Sequence, residues 1–307
     1  MKTDLKMKKI LFVSLLVGTL FSCDKQDYPE DWKPGSGELT IQMDKTSIKQ
    51  SEFFTLQFGG YADSIMVYDG TLGHEYRYKD RTAMEGVKPK VSFTSYMQWG
   101  AQTNSLSVLV STDFAGGKYD ATEIQAATWT NITNRFTLST GADNTVSGEV
   151  NLADLVKPGK QMYFAFKYEG KTGSTQRQWT IKNFVIKNEL PTGVVQDVVN
   201  TASAGWKQYS VANSAKVWTY NTTQVGIEGG NATSEDNLDW VITKALDFTK
   251  VAPDQPSHML KTRFENMLQM YRVGYKSPGQ YKMTVIGKEN AGKETSKLEK
   301  DVTVQAN

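Results

Sequence analysis

The sequence predicts an all-β protein that contains two β-sandwiches. Short runs of β-branched and aromatic residues, bounded by Gly, Pro, Asn and Asp, recur along the chain, and such runs are typical of strands. In residues 161–168 the bulky apolar side chains fall on every second position, which is the period of a strand with one strongly buried face. About 270 residues follow Gly37, which is too many for one small sandwich and suits two domains.

Eight segments carry the strand pattern most clearly. They are Leu39–Met43, Phe53–Phe58, Ser64–Tyr68, Ser105–Ser111, Gln161–Tyr168, Thr180–Lys187, Tyr281–Ile286 and Val302–Gln305. The segment Leu268–Tyr275 fits both a helical and a strand spacing. Because Pro278-Gly279 then makes a tight turn into the next strand, we predict a strand here, with a possible helical turn before it.

The first 23 residues have the pattern of a secretory signal. Met1–Lys9 contains four lysines, and Ile10–Leu20 is an apolar run of about half the ~20 residues that a membrane-spanning helix needs. Leu20-Phe21-Ser22-Cys23 resembles a lipobox, which implies removal of residues 1–22 and attachment of a diacylglycerol to Cys23, the only cysteine. The alternative is an ordinary signal peptide followed by an unrelated cysteine.

Without residues 1–22 the chain is nearly neutral. The full sequence has 35 basic and 33 acidic residues, and the signal takes away four lysines and Asp4, which leaves 31 against 32. We therefore expect no binding to nucleic acid, and a membrane contact through the lipid anchor only. Residues 23–37 are acidic and contain Pro and Gly, which predicts a flexible tether. Such a stretch resembles the surface-export signal of Bacteroidetes lipoproteins and implies the outer face of the outer membrane.

Both ends of the remaining chain resemble one fold. Ser277–Val285 and Val302–Val304 resemble the last strands of PKD-like immunoglobulin-type sandwiches, with a Pro-Gly turn, a Tyr-x-x-Thr-Val strand and a final Val-Thr-Val strand. Residues 44–68 resemble the first strands of the same fold. Neither half supplies the roughly seven strands of such a sandwich. We infer one discontinuous domain, residues 38–82 and 245–307, interrupted by residues 83–244.

The interrupting segment resembles the jelly-roll modules of secreted bacterial adhesins and hydrolases. The residues that carry this resemblance are 106–114, 127–133, 148–155, 163–168, 179–186 and 238–242. The last of these, Leu-Asp-Trp-Val-Ile, usually stands earlier in such modules, which leaves the strand order open. Together, residues 39–305 resemble a Bacteroidetes surface lipoprotein family of unknown function, and this resemblance implies association with glycan import systems of the starch-utilisation type.

Few residues suggest catalytic chemistry. The two histidines, His74 and His258, are far apart, and there is no His-Glu-x-x-His motif and no pair of cysteines, so we expect no metal site. There is also no Gly-x-Ser-x-Gly nucleophile elbow. We expect no cofactor and no enzymatic activity, although two carboxylates brought together by folding stay open as an alternative.

Aromatic residues beside polar, turn-rich sequence are the main binding candidates. An aromatic face gives a sugar ring a large apolar contact, while flanking polar side chains bond its hydroxyls. The candidates are Tyr96, Trp99, Trp206, Tyr209, Trp218 and Tyr220. The alternative for each is a ring that folds onto the sandwich, and for any single residue this is the more frequent case.

The run Gly73–Arg81 is the densest polar and aromatic segment, and we expect it near the junction of the two domains. His74, Tyr76 and Arg77 could face a ligand there. Alternatively the run seals the domain interface, with Arg77 and Arg81 paired to carboxylates, and we favour this second interpretation.

These expectations combine into one functional prediction. We expect a surface-exposed, lipid-anchored outer-membrane protein that binds a polysaccharide or oligosaccharide beside an outer-membrane glycan importer complex. The alternative is an adhesin or structural accessory subunit whose sandwich surface binds another protein, since sandwich folds serve many functions.

Overall fold

The computed structural model describes residues 38–289 and 292–307. The predictions on the signal peptide, on Cys23 and on the tether concern residues outside this described part. Within it the chain is almost entirely β, which confirms the predicted fold class. None of the helices in these two ranges has the length and apolar character that a membrane crossing requires.

The described residues form strands of 2 to 13 residues. The first four are β1 (Thr40–Met43), β2 (Ser47–Lys49), β3 (Phe53–Gly59) and β4 (Ser64–Tyr68). The middle strands are β5 (Lys88–Gln98), β6 (Leu106–Ser111), β7 (Thr130–Asn131), β8 (Thr145–Val146), β9 (Val150–Asn151), β10 (Tyr163–Gly170), β11 (Gln178–Glu189), β12 (Val195–Asn200), β13 (Lys207–Ala212), β14 (Thr219–Tyr220), β15 (Gln224–Ile227) and β16 (Asn237–Ile242). The last are β17 (His258–Lys261), β18 (Met270–Gly274), β19 (Gly279–Glu289) and β20 (Lys293–Gln305). Helical structure in the described part is α1 (Ala121–Ala126) and single 3-10 turns at Tyr76–Tyr78, Thr133–Arg135 and Ala153–Leu155.

β1–β4 and β17–β20 form what we call the split sandwich, because its strands come from both ends of the described chain. One sheet has the order β1-β3-β18 and the other has the order β17-β4-β19-β20-β2. β2 runs parallel to β20, whereas β4 and β19 are antiparallel. Phe54 and Leu56 from the first half share one hydrophobic core with Val285 and Val302 from the second half.

β5–β16 form what we call the central sandwich. One sheet has the order β13-β16-β10-β6-β7, and the other has the order β14-β15-β11-β5-β8, with β12 also paired to β11 and β9 to β5. Aromatic rings fill the space between the sheets. The ring centroid of Phe166 lies 5.2 Å from that of Phe93, and the ring centroids of Phe184 and Trp206 are 4.9 Å apart. Such ring pairs add about 0.5–1.5 kcal/mol beyond the area they bury.

The central strand β10 is buried on both of its faces. Phe164 and Phe166 point into the main core, as the alternating sequence pattern predicts. Tyr163 and Ala165 point the other way, into a second cluster in which Trp240 also packs. The pattern predicts only one strongly buried face, and the second arises because α1 and its flanking loops fold over the outer side of the sheet.

The strand predictions agree with the structure. All eight predicted segments coincide with strands, with differences of a few residues at most ends except in β20, which begins nine residues earlier than predicted. The ambiguous segment Leu268–Tyr275 contains β18, and a turn rather than a helix precedes it. The strand prediction is correct here because Val273 points into the core of the split sandwich while Met270 stays exposed.

The chain passes between the two sandwiches twice, and the two crossings lie side by side. Ala83 forms an antiparallel bridge with Lys250, and the backbone amide of Val251 donates to the carbonyl of Thr82 at 3.1 Å. The ends of the central segment are therefore adjacent, as an insertion into a surface loop requires. Phe248 and Val251 belong to the core of the central sandwich, beyond the predicted boundary at residue 244. The division into independently stable domains stays a prediction.

A buried ion pair reinforces the crossings. Arg81 donates to the carboxylate of Asp254 at 2.6 Å, and both side chains are buried. The predicted pairing of Arg81 with a carboxylate is thus present. Arg77 pairs with Glu75 in its own turn instead, and it is largely exposed.

One carboxyl group lies inside the central sandwich without a partner. Asp239 on β16 is fully buried, and neither of its oxygens has a hydrogen-bond partner among the described residues. Tyr168 and Ser210 lie opposite it on the two neighbouring strands. Burial raises the pKa of Asp239 to about 7, against a smaller opposing effect of the Ser210 hydroxyl.

This carboxyl group should make stability depend on pH. Because its folded pKa lies above the ordinary value of 3.8, its stabilising contribution is fully present below about pH 4 and is lost as the pH rises through 7. The complete loss corresponds to about 4 kcal/mol. In Asp239→Asn, which cannot ionise, the fall in unfolding free energy between pH 4 and pH 9 should be smaller by this amount. Urea unfolding across this range measures both proteins, and an equal pH dependence would contradict the assignment.

The shared core of the split sandwich makes a second prediction. Deleting Pro278–Asn307 removes β19 and β20 and exposes the apolar faces of Phe54 and Leu56. Exposure of each large side chain costs about 1.5–3 kcal/mol, against a typical total stability of about 5–15 kcal/mol. Residues 39–68 should therefore become sensitive to limited proteolysis, while the central sandwich persists as a resistant fragment.

The control for this deletion is a chain that ends at Gln305. It loses only Ala306 and Asn307, which follow β20, so its proteolytic pattern should match that of the full chain. If residues 39–68 stay resistant in the longer deletion, the two ends of the chain form separate domains and the predicted domain organisation is wrong.

Candidate ligand-binding surface

Two of the six aromatic candidates belong to the core. Trp206 is 4% exposed and Trp218 is 1% exposed, and the ring centroids of both lie within 6.3 Å of that of Phe166. Their indole nitrogens donate to backbone carbonyls, those of Thr201 and Asp239 respectively. The structure therefore corrects the prediction that these two residues contact a ligand, because neither ring presents a face to solvent.

Two further candidates lie apart from each other. Tyr209 on β13 is half-buried and packs against the second cluster near Trp240. Tyr220 on the edge strand β14 is 44% exposed and pairs with Val225 on β15, in the sheet that does not contain β13. The structure does not bring the six predicted aromatic residues into one site.

Tyr96 and Trp99 remain: Tyr96 lies near the end of β5 in the seven-stranded sheet, and Trp99 is the first residue after this strand. Phe93 and Ser95 point into the sandwich, so the alternate residues Tyr96 and Gln98 point outward. On the neighbouring strand β11 the outward residues are Gln178, opposite Gln98, and Thr180, opposite Tyr96. We call the surface formed by Tyr96, Gln98, Gln178, Thr180 and Gly226 the polar face, and Trp99 follows Gln98 directly in the chain.

The polar face has free hydrogen-bonding groups. The Gln178 amide nitrogen donates to the Gln98 amide oxygen at 3.3 Å, which leaves the amide nitrogen of Gln98 and the amide oxygen of Gln178 without partners among the described residues. The hydroxyls of Tyr96 and Thr180 likewise form no hydrogen bond within the described part of the chain. These four groups lie on adjacent strands about 4.8 Å apart and could bind the hydroxyls of one ligand.

Gly226 leaves a bare stretch of backbone on this face. It lies on β15 opposite Thr180, which in turn lies opposite Tyr96. A Cβ added at Gly226 would be 3.4 Å from the nearest heavy atom, an ordinary contact, so packing does not require glycine here. Glycine weakens a strand interior, and its presence often marks a position where a ligand approaches the backbone.

Trp99 projects from the end of β5. Its side chain is 68% exposed, and its backbone has a φ of +58°, a left-handed conformation that a bulky residue rarely adopts. Such strain costs on the order of 1–3 kcal/mol and persists only where the surroundings enforce it. An exposed indole in a strained backbone contributes little to folding, which points to a role at the surface.

Arg177 and Gly100 hold Trp99 in this conformation. The Arg177 guanidinium donates to the carbonyl of Trp99 and, at 3.0 Å, to the carbonyl of Gln102. Gly100 also has a positive φ, and a Cβ there would lie 2.1 Å from the carbonyl oxygen of Thr175. The turn after β5 is thus packed directly on the hairpin before β11, and this contact fixes the direction of the chain at Trp99.

Charged side chains lie along the rest of the same sheet face, and the nearest is Lys182, two residues from Thr180 on β11 and 3.6 Å from Asp143. Lys90 pairs with Glu189 at 2.7 Å, and Lys187 lies 3.8 Å from Asp197. The polar face itself contains hydroxyls and amides and no ionised side chain. The polar face therefore offers a ligand hydroxyls and amides, with the charge of Lys182 at its border.

The run Gly73–Arg81 lies at the junction, as predicted. His74 Nδ1 is 2.7 Å from the carbonyl oxygen of Gln255 in the returning crossing. The Tyr76 hydroxyl donates to Glu294 at 2.7 Å, which raises the pKa of Tyr76, although burial is the larger cause of this rise. The run thus contacts the returning crossing and the split sandwich, and its role as a seal between two domains stays a prediction.

No group of three or more His, Cys, Asp or Glu side chains within residues 38–289 and 292–307 is arranged to hold a metal ion. The expectation of no metal, no cofactor and no catalytic activity stays a prediction.

The fold and this surface define a two-sandwich protein with an exposed polar face at one end of its larger sheet. The chain belongs to the family described as Domain of unknown function (DUF5017), whose model matches residues 22–206, more than half of the sequence. The matched part ends before β13, so it includes Trp99 and excludes Gly226. No curated protein and no solved structure matches the chain.

Sequence reasoning missed Gln98, Gln178, Thr180 and Gly226. They come from three strands that are separated by as many as 128 positions in the chain, and the strand register alone brings them together. The available signal was the glycine within the alternating run 224–227, which marks an unusual position in a strand but does not identify its neighbours.

Trp99 should be dispensable for stability. Glycine adopts a positive φ without strain, so Trp99→Gly should raise the unfolding free energy by about 1 kcal/mol. Trp99→Ala keeps the strained conformation and should be less stable than Trp99→Gly. Urea unfolding of the three proteins measures this order, and a loss of more than about 1 kcal/mol in Trp99→Gly would show that the indole packs on the sandwich.

Proposed function

We propose that this protein is a surface-exposed outer-membrane lipoprotein that is anchored through Cys23 and binds polysaccharide beside a glycan importer. The observation that carries the binding role is the exposed indole of Trp99, held in a strained backbone by Arg177. Nothing in the packing of the central sandwich requires an indole at this position. Binding of a ligand would explain why the strain is retained.

The polar face offers what a sugar chain needs. A sugar ring has apolar faces and a rim of hydroxyls, so it binds where an aromatic ring stands beside unfilled donors and acceptors. Here Trp99 supplies the ring, and Tyr96, Gln98 and Gln178 supply the polar groups. The flat surface of a sheet, open at Gly226, suits an extended chain better than a single small molecule.

The proposed location beside an importer is inferred from the sequence. The lipobox resemblance at Cys23, the acidic tether and the similarity to surface lipoproteins that accompany glycan import support it. An anchored protein on the outer face would hold a polysaccharide close to the membrane. We propose no catalytic step, because the polar face contains no carboxylate pair and no nucleophile with an adjacent base.

Affinity electrophoresis tests the binding role. Residues 24–307 should be retarded on native gels that contain at least one neutral plant, host or microbial polysaccharide. Trp99→Gly and Tyr96→Ala should each remove most of this retardation, since loss of an aromatic contact costs on the order of 1–3 kcal/mol. Gly226→Glu should also block binding, because its side chain would cover the bare backbone.

Phe264→Ala provides the matched control. Phe264 is 84% exposed and lies in the split sandwich, so its removal deletes an equally open aromatic ring away from the polar face. Retardation by no polysaccharide would refute the glycan role. Recovery of an outer-membrane protein after crosslinking on intact cells, without any glycan affinity, would favour the adhesin or accessory-subunit alternative.

A further inference from the structure

A pocket of about 630 Å³ lies at one end of the central sandwich. One side of it is formed by the ends of β11 and β12, and the other by residues 244–252, which lead from β16 into the returning crossing. The lining residues used most below are Gln161, Asn188, Asp197, Lys244, Asp247 and Lys250. Small-molecule sites typically occupy about 300–1,000 Å³, so a ligand of the size of a sugar unit fits this volume.

One side chain of the lining is buried and lacks a partner. Asn188 is 1% exposed and lies on the inward face of β11, in line with Ile186. Its amide nitrogen donates to the carbonyl of Phe248 at 2.8 Å, whereas its amide oxygen has no hydrogen-bond partner among the described residues. A buried acceptor without a partner costs free energy, so its position in a pocket indicates that a ligand supplies the donor.

Gln196 on β12 fixes the wall of the pocket beside Asn188, which lies opposite it in the pairing of β11 with β12. The Gln196 amide nitrogen donates to the carbonyl of Ala252 at 3.1 Å, and its amide oxygen accepts from the backbone amide of Ala252 at 2.9 Å. These two bonds join β12 to the returning crossing. The pocket is therefore preformed, and binding requires little ordering of its backbone.

The exposed part of the lining offers both donors and acceptors. The ammonium groups of Lys244 and Lys250 form no ion pair within the described part of the chain, and the Gln161 amide forms no hydrogen bond there. One oxygen of Asp247 accepts from the backbone amide and the hydroxyl of Thr249, and its other oxygen has no partner among the described residues. A ligand group that both donates and accepts can thus be bonded from several sides.

The charges of the lining select neither an anion nor a cation. Lys244 and Lys250 equal Asp197 and Asp247 in number, and all four are exposed, so water and salt screen them. Lys187, which is outside the lining, adds one positive charge 3.8 Å from Asp197. An organic cation would meet the two unpaired lysines, and the ionised end of an anion would bring no donor to Asn188. A neutral ligand with hydroxyl or amide N–H groups avoids both problems.

We infer that this pocket is a second binding site, for one neutral sugar unit, in which a hydroxyl or amide N–H group of the sugar donates to the amide oxygen of Asn188. Neighbouring sugar oxygens accept from Lys244 and Lys250. The choice of a sugar as the ligand rests on the proposed function. At the rise of a strand, Asn188 lies roughly 25 Å along β11 from Thr180 of the polar face. A polysaccharide held at both points would bind more tightly than at either one.

NMR titration of residues 24–307 carrying Trp99→Gly tests this inference, because that substitution removes the indole beside the polar face. Glucose, galactose, mannose and N-acetylglucosamine are added separately. At least one should shift the side-chain amide signal of Asn188 and the backbone amide signal of Ala252. Because the ligand is neutral, its affinity should change less than about twofold as salt rises.

Lys244→Met and Lys250→Met should each lower this affinity about tenfold, the loss of one hydrogen bond from a charged group. Both lysines are exposed and form no ion pair within the described residues, so urea unfolding should stay unchanged in both variants. Lys300→Met is the matched control, since Lys300 is also exposed and without an ion pair there, but lies on β20 outside the pocket. Equal affinity in all three variants would overturn the inference.

Two outcomes separate this inference from the proposed function. If polysaccharides retard the protein through Trp99, but none of the four sugars shifts the Asn188 signal, the pocket inference is wrong and the proposed function stands. If a sugar binds with the expected loss in Lys250→Met, while Trp99→Gly leaves the retardation by polysaccharide unchanged, the pocket stands and the role given to Trp99 is wrong.

Discussion

The pairing of β4 with β19 joins residues that are more than 200 positions apart, from Tyr68 opposite Thr284 to Ser64 opposite Lys288. The split sandwich depends on this pairing, because it brings the two halves of one core together. Closing so long a loop costs entropy, but the folded central sandwich returns its chain beside the point of entry, through the bridge between Ala83 and Lys250. The loop that must be closed is then short. Formation of the split-sandwich core therefore costs less entropy once the central sandwich has folded.

The polar face is supported by the packing beneath it. The polar face lies on a sheet whose other side is packed with aromatic rings, so the backbone beneath Tyr96 and Thr180 is rigid. The two positions that break local preference there, Trp99 and Gly226, are both unnecessary for that packing. Local rules that fail without a compensating contact are most often found at functional positions.

Much of the fold could be predicted from the sequence. Alternation of apolar residues follows directly from the geometry of a strand, so segments such as 161–168 could be assigned. The likeness of both chain ends to one sandwich predicted that they would share a core, although not which strands would pair. The second cluster around Tyr163 was not accessible, because α1 has only six residues and so presents no helical repeat.

The candidate site was predicted only in part. Tyr96 and Trp99 were identified, but so were Trp206 and Trp218. The sequence around an aromatic residue that neighbours Gly or Asn is the same whether its ring points into the core or toward solvent. Only the packing of the folded chain, in which Trp206 just before β13 and Trp218 just before β14 enter the core, decides between these orientations. The polar residues on β11 and β15 lie beside Tyr96 because of the register in which these strands pair with each other and with β5. A single sequence does not reveal the register between strands that lie about a hundred residues apart.

The side-by-side crossings also determine how mechanical load passes through the molecule. A pull on the central sandwich reaches the split sandwich through two segments at once, one ending at Thr82 and the other beginning at Val251, which are hydrogen-bonded to each other. Neither segment bears the whole force, and the buried contact between Arg81 and Asp254 must break before they can separate. Such an arrangement resists separation of the two sandwiches under tension better than a single linker of the same length.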